Sequence, residues 1–457
     1  MNLNWKRQLR LYQNIMASGT NSMKIKAMIL LAHLSKHAPE PLLAHCIPPL
    51  IEILGHNDYA PSLQMAAVYC LKCIACRGEG GLAIEIGRHG AALVLLGLLP
   101  HAADVRFQEV LIKCLLVVVT FCNTSRTAVA TNGGLEIIIG SLNSRTNNDA
   151  ARQYLLEILS VLMLQQSVRQ ELTRLQALRF VVEAAGSGSK FSRERACQSI
   201  GLLGVARQTK RTLFELGAVP VLADVFRNGD HTAKLIAGNA LGVMTAHVNY
   251  IRPVSQTGVI PLYAELLQGH DPRGTDIADD VFCILSVAES NVAEITSHLV
   301  RILKEGGNEA KAAAADVTWS LCGYKDSKYA VRSGAIPILV ELLGNECEAV
   351  KGNVSGAFAQ MSYDEEYRRV LANAGAIPIL IGLLNDENAD IRDNAAEALI
   401  NYSEDPFYHD KVSDATNDPS FIHMQNRLIE FGESREQYTR SLQWMSAEQL
   451  TWIPGLI

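Results

Sequence analysis

Apolar and small residues recur along this chain at i, i+4, i+7, i+8 and i+11, the stripe of an amphipathic helix. Val350, Val354, Ala357, Phe358 and Met361 make one stripe, and Ile391, Ala395, Ala398, Leu399 and Tyr402 another. Ala151, Leu155, Ile158, Leu159 and Leu162 make a third. Ten such stripes begin at Met23, Leu63, Phe107, Ala151, Ser192, Ala233, Ile277, Ala310, Val350 and Ile391. Two carry a polar member, Ser199 and Thr318. Their spacings are 40, 44, 44, 41, 41, 44, 33, 40 and 41 residues. The pattern predicts one helix per stripe, all-α throughout.

A second signal keeps phase with the first. Gly334-Ala335-Ile336-Pro337-Ile338-Leu339 recurs 41 residues later as Gly375-Ala376-Ile377-Pro378-Ile379-Leu380. Looser copies begin at Gly217 and Gly258, and worn ones at His45, Gly90, Gly133, Gln176 and Glu294. Glycine ends a helix because it takes the left-handed conformation cheaply. Proline is expected at the first position of the next helix, where its missing N–H costs nothing. Each box therefore separates a first helix from a short apolar second helix, and the stripe is the third. The short spacing of 33 falls where residues 289–297 leave little room for a first helix.

A period near 41 residues with a Gly-x-Ile-Pro box resembles the armadillo-repeat family, over residues 21–405 in about ten copies. The resemblance implies a right-handed superhelical solenoid of three-helix repeats, with the third helices lining a concave groove for extended peptides or partner domains. No single repeat can bury its apolar face, so the array is expected to fold as a continuum. Residues 1–20 read as an N-terminal capping helix, built on Trp5, Leu9, Leu11, Tyr12 and Ile15. Residues 406–457 read as a non-repeat tail that caps or docks. It has a helix start at Asp418-Pro419, a capping-box pattern at Ser446 and two tryptophans, Trp444 and Trp452.

Three rows off each stripe are expected to face the groove. Importin-α and its relatives place a Trp and an Asn in two of these rows to hold a peptide. Here the Trp row contains no Trp, and the Asn row contains one Asn, Asn401. This disfavours a nuclear-import adaptor. Across the three rows stand Glu109, Glu157, Glu194, Asp279, Asp316, Asp393 and Glu397, against one base, Lys113. The polar members Gln153, Gln198, Asn239, Gln360 and Asn401 complete the candidate groove. Such an acidic surface would attract a Lys/Arg-bearing segment of a protein partner. The bland alternative is that these are simply the solvated faces of helices.

Composition narrows the classes. The chain has 457 residues, 48% hydrophobic and 19% charged, enough to bury a core. A net charge of −6 gives no basic footprint for nucleic acid. No apolar run approaches the ~20 residues of a spanning helix, so membrane insertion is not expected. Ten cysteines without a secretory signal point to free thiols in a reducing compartment, the cytoplasm first and the nucleus second. Cys70-x-x-Cys73-x-x-Cys76 lacks the second ligand pair of a zinc site, and Cys70 falls on a core stripe. Gly186-Ser187-Gly188-Ser189-Lys190 lacks phosphate-loop spacing. His33 and His37 are one turn apart, which alone is weak evidence for a metal. No catalytic motif, cofactor or metal is expected. The reading is therefore a non-catalytic interaction scaffold, monomeric, with a structural subunit of a cytoskeletal or ciliary array as the rival.

Overall fold

A computed structural model describes residues 5–56, 59–102, 104–144, 149–322, 334–416, 421 and 425 of the chain. Among them are 28 α-helices, one short 3-10 helix and no strand. Contacts divide the chain into two compact units, Met1–Val221 and Leu222–Ile457. Each is a stack of helical repeats.

The ten stripes are ten third helices. In the first unit these are Asn21–Leu34, Pro61–Ala75, Val105–Phe121, Asp149–Leu162 and Lys190–Gly204. In the second they are His231–Thr245, Pro272–Ser286, Asn308–Cys322, Glu348–Met361 and Ala389–Ser403. Within each unit every third helix packs on the next. The stripe of repeat nine, from Val350 to Met361, is fully buried. Burying one such Leu-sized or Phe-sized side chain contributes about 1.5–3 kcal/mol.

The boxes do what glycine chemistry requires. Gly90, Gly133, Gly217, Gly258, Gly334 and Gly375 all have positive φ. Gln176, at the same place in repeat five, is the one non-glycine with positive φ among the described residues, at 54°. Its neighbours hold it there: Ala177 N–H donates to Leu172 O at 2.9 Å, a helix-ending bond. Proline sits slightly later than expected. In Ala335–Leu342 and Ala376–Leu383 it is the third helical residue, Pro337 and Pro378. The first turn has no intrahelical acceptor for its N–H groups, so the displacement costs nothing.

Glu294 departs from the box. It lies inside one continuous helix, Glu289–Glu305, which replaces the first and second helices of its repeat. Without Gly and Pro there, nothing interrupts the helix, and this accounts for the short spacing.

Two sets of polar bonds stitch repeats together. Arg126, Arg169 and Arg368 occupy the fourth position of the first helices Asn123–Thr131, Gln166–Arg174 and Glu365–Asn373. Each reaches back to carbonyls at the end of the preceding third helix: Thr120 at 2.9 Å, Met163 at 2.7 Å and Ser362 at 2.7 Å. These carbonyls have no partner within their own helix. Asn353 and Asn394, 41 residues apart, reach the previous third helix, at Ala312 O (2.9 Å) and Ser355 Oγ (3.1 Å).

At the N-terminal end, Trp5–Ser18 is a helix that buries only Tyr12 fully. At the other end, His409–Thr416 packs on Ala389–Ser403 and buries Val412. The expected helix start at Asp418, the capping box at Ser446 and both tail tryptophans lie outside the described residues.

Candidate functional site

The candidate groove residues lie on the third helices, on the strip left partly open when stripe and flanks are buried. Gln153 is exposed. Glu109, Glu157, Gln198, Asn239, Asp279, Asp316, Gln360, Asp393, Glu397 and Asn401 are half-buried. Glu194 is the exception: it is 5% exposed, so repeat five offers the open strip no free-standing carboxylate.

In the first unit the carboxylates have basic neighbours. Lys113 Nζ donates to Glu109 Oε1 at 2.9 Å and lies 4.7 Å from the centre of the Tyr154 ring. The Glu109 bond raises the lysine's pKa. Burial lowers the Arg195 guanidinium and Arg126 lowers it further, while Glu194 and Glu157 oppose both. Arg195 is thus the local countercharge to two of the seven carboxylates.

In the second unit the arrangement reverses. Asp279 and Asp316 come from neighbouring third helices, Pro272–Ser286 and Asn308–Cys322. Burial pushes the Asp279 carboxyl up to about 6, and the charges of Asp316, Asp280 and Asp276 add to it. A hydrogen bond with Ser320 acts the other way. Asp279 Oδ1 is buried and has no hydrogen-bond partner among the described residues. Asp316 is raised by burial and by Asp276. The same carboxylates, after burial, help push the Cys283 thiol up to about 12. No base figures among the causes of these shifts. Like charges crowd here in a partly desolvated place, where each raises the other's affinity for a cation or a proton.

Further along, the strip is occupied by its own neighbours. Tyr363 donates its hydroxyl to Glu397 Oε1 at 2.6 Å. Asn401 Nδ2 donates to Ser362 Oγ at 2.7 Å. The residue in the expected peptide-clamp row is therefore engaged within its own unit.

Of the other sequence motifs, the cysteine run grades from buried Cys70 through half-buried Cys73 to exposed Cys76. Cys70 is buried, and burial raises its thiol pKa well above the ordinary value. Ser189 caps the helix Lys190–Gly204, accepting from Ser192 N–H at 3.4 Å. Among the described residues no three His, Cys, Asp or Glu side chains are grouped to hold a metal. No single described helix is long and apolar enough to cross a membrane.

The comparisons agree with this architecture. The family model for the armadillo/beta-catenin-like repeat matches residues 364–403. An engineered protein of known crystal structure superposes with a TM-score of 0.62 at 18% identity, covering 86% of this chain and 98% of its own. A chain from a structural study of the interaction between cadherin and beta-catenin superposes with a TM-score of 0.53 at 14% identity. It covers 87% of this chain and 91% of its own. No curated protein sequence matches. Residues 364–403 are the tenth copy of the box and stripe, and the same three-helix unit recurs upstream of it. Residues 364–403 are thus an armadillo/beta-catenin-like repeat, and the chain has an all-α fold of the armadillo type.

Proposed function

We propose that this protein is a non-catalytic interaction scaffold, and that the third-helix strip of its second unit holds Lys or Arg side chains of a partner segment. One observation carries the reading: Asp279 and Asp316, both half-buried on neighbouring third helices, stand with Asp276 and Asp280, and acidic neighbours raise both carboxyls. A cationic side chain placed there would relieve repulsion between carboxylates as well as gaining its own attraction, and charge-assisted bonds are the stronger kind. The neighbour from the cadherin–beta-catenin study supports a protein partner as the class. The free cysteines fit a reducing compartment, and we place the work in the cytoplasm.

The test is a pull-down from lysate with three baits: wild type, Asp279→Lys with Asp316→Lys, and Glu109→Gln with Glu157→Gln. Helicity is checked by circular dichroism first. Prey rich in Lys/Arg segments should be lost from the lysine variant and kept by the glutamine variant. Capture should weaken as the pH falls through about 6, where Asp279 takes a proton. The same prey on all three baits would remove the strip from consideration.

A further inference from the structure

The first repeat is the one whose core stripe is left open. Repeat nine buries Val350, Val354, Ala357, Phe358 and Met361. The equivalent stripe of repeat one runs through Met23, Ala27, Leu30, Leu31 and Leu34, and there Met23 is 50% and Leu30 55% exposed. The helix Trp5–Ser18 lies across this end but does not close it. Between them is a cavity of about 80 Å³, with Trp5, Leu11, Leu30, Leu34 and Leu42 in its walls. Leu11 is itself 54% exposed. Tyr12, 7% exposed, also lines the cavity, and its hydroxyl is buried without a hydrogen-bond partner among the described residues. Here an exposed leucine of the stripe, an exposed leucine of the first helix and an orphan hydroxyl gather round one cavity, a combination that marks an interaction surface.

Charge says what sort of occupant suits it. Two of the helices that form the walls, Trp5–Ser18 and Asn21–Leu34, carry Lys6, Arg7, Arg10, Lys24 and Lys26 and no acidic residue, and the third, Glu40–Ala44, carries one carboxylate, Glu40. Lys6, Arg10, Lys24 and Lys26 make no ion pair among the described residues. In a chain of net charge −6, this end is locally basic and apolar together. The cavity is of the order of one branched aliphatic side chain, and the exposed leucines around it extend the apolar contact beyond the cavity.

We propose that the open end of repeat one docks an acidic amphipathic segment of a protein partner, seating an aliphatic anchor between Leu11 and Leu30. Carboxylates flanking the anchor meet Lys6, Arg10, Lys24 and Lys26. This surface is opposite in sign to the acidic strip and does not depend on it. The two together would let one chain bridge an acidic and a basic partner.

The probe is a fluorescein-labelled helical peptide with leucines at i, i+4 and i+7 and glutamates between them, followed by anisotropy on the full chain. Two control peptides carry lysine for glutamate, or serine for leucine. The acidic leucine peptide should bind at least about tenfold tighter than either control, and less tightly as salt rises. Leu30→Ser, a change at an exposed position, should weaken it about tenfold. So should charge reversal of Lys6, Arg10, Lys24 and Lys26 to glutamate. Asp279→Lys with Asp316→Lys should leave it unchanged, so the failure of one surface is distinct from failure of the other. Equal binding of all three peptides, or indifference to Leu30→Ser, would overturn the proposal. So would a preference of this end for phosphatidylserine vesicles over the peptide. Self-association of the chain that Leu30→Ser abolishes would overturn it too, in favour of a second copy.

Discussion

The two units carry the same number of repeats and comparable acidic positions on their third helices, yet they use those positions in opposite ways. In the first unit Lys113 answers Glu109, and Arg195 answers Glu157 and Glu194. In the second unit Asp279 and Asp316 answer each other with repulsion. One arrangement sets a cation beside each carboxylate, in one case as an ion pair. The other carries an unfavourable charge that a partner could neutralise. The lesson is that a carboxylate's row in the repeat does not set its role. The charges around it do, whether one turn along the same helix, as Lys113 is for Glu109, or in the next repeat, as Arg195 is for Glu157 and Asp316 for Asp279.

The contrast can be broken by mutations that should move stability in opposite directions. The largest effect is expected from Arg195→Ala. It removes a half-buried guanidinium from beside the charges of Glu157 and the buried Glu194, and it leaves an unfilled space between third helices. A loss of about 2 kcal/mol is expected, read as a lower thermal midpoint. No loss would mean that the cation beside these carboxylates is as dispensable as one in a surface ion pair.

Asp279→Asn should do the reverse. The Asp279 carboxyl is raised in the fold to about 6 from an ordinary 3.8, so the fold prefers the neutral form. The charged form therefore costs stability above about pH 6, and stability returns as the pH falls towards 4. Asparagine removes that cost. A gain of about 1 kcal/mol is expected at pH 7, after discounting for partial exposure and screening. Below pH 4 the gain should vanish. Measuring the midpoint of wild type and variant across this range tests both the sign and the window. A variant that is more stable at pH 7 but no longer holds basic prey would show stability given up for binding.

The smallest effect concerns the frame on which both strips are built. Gln176 adopts a backbone conformation that the six glycines of the equivalent boxes adopt. Gln176→Gly should relieve that strain and stabilise by up to about 1 kcal/mol, partly offset by greater chain entropy when unfolded. A fall in the thermal midpoint would mean that the side chain makes contacts worth more than the strain.

Much of the frame was legible before any coordinates. Period-3.6 stripes and the glycine box are local signals, set by side-chain direction on a helix and by the steric freedom of one residue type. They placed ten third helices and led to the unusual backbone at Gln176. They also marked the irregular repeat at 289–297, although the fused helix there was not foreseen. The candidate strip was legible only as a list. Register put Glu109, Glu157, Asp279, Asp316 and their fellows on one strip of the third helices, and they lie there. It could not tell that Glu194 is buried or that Asn401 and Glu397 are engaged by Ser362 and Tyr363. The linking residues Asn353, Asn394, Arg126, Arg169 and Arg368 were missed altogether. Their 41-residue spacing was the available signal for the two asparagines.

What the sequence determined by itself was therefore the architecture: helix, helix, helix, repeated until the chain runs into its tail. That follows because each repeat's elements depend on contacts within a few turns of chain. Only the tertiary structure decided which carboxylates are neutralised, which crowd together and which end of the stack is left open. Those outcomes depend on burial and on charges brought in from the next repeat. Both vary over a few ångströms, and neither is written in the order of residues along one helix.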